Sequence, residues 1–90
     1  MDDALSLETL REDGRRRAKE AGAALQGLSQ TEGLQHLSAL RAGLEERKAF
    51  LYGSGFSPRE VQAWAEGYRT GLYDQTDAWL ASFEQDARRT

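Results

Sequence analysis

Apolar positions recur at steps of three and four along most of the chain. Leu7, Leu10, Gly14, Ala18, Ala21, Leu25 and Leu28 fall on one helical face. Leu34, Leu37, Leu40, Leu44 and Leu51 form a second stripe, with Arg41, Glu45, Glu46 and Lys48 mostly outside it. Val61, Trp64, Ala65, Tyr68 and Leu72 form a third, and the pattern can be carried on through Thr76, Trp79, Phe83 and Ala87. No stretch alternates with a period of two. There is no isoleucine and Val61 is the sole valine, so a sheet has little to be built from. The pattern predicts an all-α chain: one domain over residues 1–90, a small antiparallel bundle of three to four helices near 6–28, 30–52, 58–71 and 75–88.

The boundaries are written with unequal force. Ser6 is a candidate cap for the first helix. The middle of that helix's stripe is small, which lets a neighbour approach closely. Gly14 and Gly22 each cost about 1 kcal/mol against Ala in a helix interior, so this helix needs its neighbours to form. Ser29 with Glu32 matches a capping box, and Gly53 suits a left-handed C-cap. The stretch "GFSPREV" combines several devices: Ser57 as N-cap, Pro58 at the first helical position, Glu60 completing a capping box, and Phe56 stapled to Val61. Together such devices are worth about 2–3 kcal/mol. Beyond them, Ala63, Gly67 and Gly71 line up at steps of four as a second close-packing surface. Gly71 as a C-cap and Asp74 as a new N-cap predict a break at 71–76, since one helix over 58–88 is long for a small domain. One kinked helix is the alternative.

Composition narrows the function. The 90 residues carry a net charge of −3, and with no cysteine there is no disulfide scaffold, thiol nucleophile or zinc ribbon. No apolar run approaches the roughly 18–20 residues needed to span a membrane. The segment "MDDALSLETL" is acidic rather than basic, unlike a signal peptide, so a cytoplasmic location is expected. Charge and aromatics are both unevenly spread. Residues 60–86 hold six acids against one base, Arg69, and all eight aromatic residues lie from Phe50 onward.

Candidate chemistry is sparse. "GRRRAK" is the one basic cluster, but its arginines fan out at about 100° per residue and Glu12, Asp13 and Glu20 flank it. His36 with Glu32 offers two metal ligands where a site needs three or four, so no metal or other cofactor is expected. A helix–turn–helix reading of 44–69 meets Glu60 and Glu66 where phosphates would lie. Asp74 and Asp77 are one turn apart, with nothing to suggest a cleft or a raised pKa. "EGYRTG" followed by "WLASFEQDA" resembles ribosome modulation factor, a small bacterial ribosome-hibernation protein. That family is basic, as a ribosome binder must be, whereas this region is acidic, so the resemblance is not carried forward.

What remains is an acidic, aromatic C-terminal third. Tyrosine and tryptophan ringed by charge are typical interface anchors. The expectation is a non-enzymatic protein–protein interaction module, an inhibitor or adaptor, that meets a basic protein surface through Glu66, Arg69, Tyr73, Asp74, Asp77 and Glu84. By class-level analogy, phage and mobile-element inhibitors of nucleic-acid machinery are of this kind. One alternative is a nucleic-acid accessory module using Arg15, Arg16, Arg17 and Lys19, although the net charge disfavours nucleic acid. Another is a structural subunit whose Leu and small-residue stripes complete a homodimer or larger helical assembly.

Overall fold

The computed structural model describes the backbone of residues 3–89 and the surroundings of side chains 7–85. Among the described residues, three α-helices and one short turn make up the fold: α1 (Asp3–Gly22), a 3-10 turn (Ala23–Leu25), α2 (Gln30–Gly53) and α3 (Pro58–Arg89). No strand occurs among the described residues.

The strongly capped boundaries form as the local sequence dictates. At α2 the Ser29 Oγ accepts from Glu32 N–H, and Ser29 N–H donates to the Glu32 carboxylate. At α3, Glu60 N–H donates to Ser57 Oγ at 3.2 Å and Ser57 N–H donates to Glu60 Oε1 at 2.7 Å. The α2 terminus differs from expectation by two residues. Gly53 stays helical, and Gly55 takes the left-handed conformation at φ 98°. Phe56 N–H then donates to Leu51 O, and Gly55 N–H donates to Tyr52 O, which together make a Schellman motif. Phe56 packs against the same core as Leu51 and Val61, so one ring closes α2 and opens α3.

Two other boundaries depart from the sequence reading. Helix α1 is already helical at Asp3, so Ser6 lies inside it, and it ends at Gly22 rather than near residue 28. The chain turns there because Leu25 plugs fully into the interior and Gly27 adopts φ 92°. The expected break at 71–76 is absent, and with it the separate fourth helix: α3 runs unbroken for 32 residues. Gly71 and Asp74 serve tertiary contacts instead of caps. A Cβ on Gly71 would lie 2.5 Å from the Arg15 carbonyl oxygen, and Asp74 pairs with the Arg15 side chain.

Close approach of α1 and α3 organises the core. Gly14 meets the Trp64 carbonyl, Gly67 the Arg11 carbonyl, Gly71 the Arg15 carbonyl and Ala18, and Gly22 the Gln75 side chain. Residue numbers rise together on both helices, so this closest pair runs parallel. Helix α2 runs the other way: Gly33 lies under the Trp79 ring near its start, and Lys48 and Tyr52 face Gln62 and Ala65 near its end. Its stripe is built of leucines rather than glycines, which holds it further off. Leu44 and Leu51 are buried against Val61, Trp64, Ala65, Tyr68 and Leu72, while Leu37 and Leu40 are half-buried. Full burial of Trp79, Leu25 and Val61 contributes about 1.5–3 kcal/mol each. Both indole N–H groups are satisfied: Trp64 donates to Asp13 Oδ2 and Trp79 to Leu28 O, each at 3.0 Å.

Candidate protein-docking face

A continuous α3 changes which residues share a surface. Positions 69, 73, 77, 80 and 84 follow steps of four and three, so Arg69, Tyr73, Asp77, Leu80 and Glu84 form one ridge, and all five are exposed. Two of them are large apolar side chains left in water: Tyr73 is 61% exposed and Leu80 50%.

Beside the ridge runs a groove of about 320 Å³ between α2 and α3. Leu37, Leu44, Leu72 and Thr76 line it, and Tyr73, Arg69 and Arg41 border it. Leu34 was expected in the core stripe but is 63% exposed. It lies two turns before Arg41 on the same side of α2. Tyr73 is the exposed apolar side chain at the rim of this groove, and Leu80 stands two turns beyond it on the same ridge.

The six residues expected at a partner contact are divided by the fold. Arg69, Tyr73, Asp77 and Glu84 lie together on the ridge. Glu66 and Asp74 are turned toward α1, where they pair with Arg11 Nε and an Arg15 Nη, each at 3.3 Å. The acidity of this third is partly cancelled by arginines fifty-five and fifty-nine positions away in the chain. No lysine or arginine among the described residues pairs with Asp77 or Glu84.

The basic cluster is dispersed. Arg15 turns to Asp74 and Arg16 to Asp13, and among the described residues neither Arg17 nor Lys19 meets a carboxylate. His36 bonds the Ala21 carbonyl, one of the orphan acceptors at the end of α1, at 3.2 Å. Glu32 is engaged in its capping box. Among the described residues no group of three His, Asp or Glu side chains is placed to hold a metal ion. A second, open groove of about 600 Å³ between α1 and α3 is walled by charged side chains of both signs, among them Glu8, Arg11, Glu12 and Arg15. Burial raises the Tyr68 phenol above its ordinary value of 10.0. No described helix is long and apolar enough to cross a membrane.

Leu80 is the member of this face that sequence reasoning missed. The signal for Leu80 was present, since it follows Tyr73 by seven residues. The expected break at 71–76 put Tyr73 between helices and Leu80 on the following one, and so hid it.

Comparison with protein-family models, with curated proteins and with solved structures finds no match.

Proposed function

We propose that this chain is a non-enzymatic protein–protein interaction module, acting as an adaptor or inhibitor, and that it docks through the α3 ridge and the adjoining groove. The observation that carries this reading is the exposure of Tyr73 and Leu80 on one ridge of α3, with Tyr73 at the rim of the adjoining groove, while Trp64 and Trp79 are fully accommodated inside. Solvent-exposed Tyr and Leu at i and i+7 give a helix two anchors about 10 Å apart. Asp77 and Glu84 alternate with them and offer attraction to a basic group on the opposing surface. A cytoplasmic setting fits this reading.

The groups that could carry other chemistry are engaged elsewhere: His36 on a helix-end carbonyl, Glu32 and Glu60 in capping boxes, Asp13 on an indole. A nucleic-acid role for Arg15, Arg16, Arg17 and Lys19 is less well supported, because Arg15 and Arg16 are held in ion pairs.

The test compares proteins retained by the wild-type chain with those retained by Tyr73→Ser/Leu80→Ser, with Ala42→Ser on the outer side of α2 as control. Retention by wild type and control, with loss in the double variant, is expected. Equal retention by all three would refute the assignment of this face.

A further inference from the structure

Resting on the reading of the ridge as a docking face, we propose that its occupant is a second copy of this chain. The two ridges pair antiparallel about a two-fold axis. Read along α3, the ridge runs Arg69, Tyr73, Asp77, Leu80, Glu84: cation, aromatic, acid, aliphatic, anion. Reversed, the pattern complements itself. An axis at the level between Thr76 and Asp77 brings Tyr73 to the level of the partner's Leu80, and Arg69 to the level of the partner's Glu84. The symmetry repeats both contacts, so four exposed apolar side chains and two opposite-charge pairs are matched at once.

Other arrangements do worse. Parallel pairing sets Arg69, Asp77 and Glu84 each against its own copy. An antiparallel register centred on Tyr73 leaves Leu80 opposite the partner's Glu66. The charges that the favoured register matches are also ones without an ion-pair partner among the described residues. Among the described residues Arg69 and Glu84 join no ion pair, while Glu66 and Asp74 are taken by Arg11 and Arg15. Arg69 and Glu84 lie about 22 Å apart along one α3, so they can meet only between copies. The basic group expected opposite this acidic ridge is then the partner's Arg69. One like-charge contact remains, Asp77 beside the axis, and it gives the pairing a signature that a basic partner of another kind would not share.

Sedimentation equilibrium of the full chain tests this, on wild type, Arg69→Glu, Glu84→Arg, the double charge swap and Asp77→Asn. All three positions are exposed, and circular dichroism is used to check that each variant folds before its association is read. Wild type is expected to show a monomer–dimer equilibrium that each single reversal weakens about tenfold or more, with the double swap returning to within about threefold of wild type. Asp77→Asn is expected to tighten the dimer. A strict monomer, a double swap as weak as the singles, or a loosening by Asp77→Asn would overturn self-pairing. If wild type is a strict monomer and Tyr73→Ser/Leu80→Ser still abolishes retention of another protein, the second copy is excluded and the docking face stands. If the double variant changes neither, the docking reading itself falls.

Discussion

The same chemical change, Gly→Ala, is predicted to have opposite effects at two helix-interior positions. At Gly67 a new Cβ would lie 1.9 Å from the Arg11 carbonyl oxygen and 2.7 Å from its carbon, where ordinary contact begins near 3.4 Å. The obstacle is backbone, so no side chain can rotate away. Relief requires moving α1 from α3 by more than an ångström, and a gap of about 0.5–1 Å already forfeits a quarter to a half of each dispersion contact. The approaches at Gly14 and Gly71 would open with it. Overpacking of this kind costs about 1–3 kcal/mol, with the upper end expected against rigid backbone, and alanine's helix propensity returns about 1 kcal/mol. The net expectation for Gly67→Ala is a loss of about 2 kcal/mol, a fall in Tm of about 8–16 °C for a chain of this size. Gly43 is exposed in mid-α2, and a Cβ there would meet nothing within 4 Å, so Gly43→Ala should raise Tm by about 4–8 °C. Thermal unfolding followed by circular dichroism reads both. A Gly67→Ala protein melting at or above wild type would refute the backbone contact between α1 and α3.

Three further outcomes follow from the core. Asp13→Ala strands the indole N–H of buried Trp64 and should lower stability by about 1–3 kcal/mol in urea titration, whereas Asp13→Asn keeps an acceptor and should recover most of it. Phe56→Ala removes the ring shared by the α2 terminus and the α3 start; a loss of about 2 kcal/mol is expected for this half-buried side chain, and no loss would mean that the capping hydrogen bonds suffice. Tyr68 has its folded-state pKa raised by burial, so its contribution is complete below pH 10 and fades as pH rises through the raised value. Tyr68→Phe should therefore flatten the alkaline side of a stability–pH curve, and an unchanged slope above pH 10 would contradict the burial.

Local devices were legible in the sequence, and tertiary ones were legible only in part. Ser29 with Glu32, and Ser57 with Pro58 and Glu60, act within four residues, so their spacing states their geometry. The small stripes Gly14–Ala18 and Ala63–Gly67–Gly71 announced close packing, but nothing local says that they meet each other in parallel register. Gly71 and Asp74 looked like a helix stop and start because those residue types serve both purposes. Their actual partners, the carbonyl and guanidinium of Arg15, lie more than fifty positions away. The candidate face suffered from the same ambiguity. Tyr73, Asp77 and Glu84 were found by residue type, and Leu80 joins them only once α3 is continuous. Glu66 and Asp74 share the type but face arginines of α1, a pairing that charge counted along the chain does not reveal.

The central claim, that the α3 ridge contacts protein, is tested most directly by site-specific photo-crosslinking. A benzophenone-bearing residue replaces Tyr73, Leu80 or, as control, Ala42 in the full chain. Adducts from positions 73 and 80 but not from 42 are predicted, and a second copy would appear as a species of twice the chain mass. No adduct from 73 or 80 at any concentration, or equal yield from 42, would contradict it.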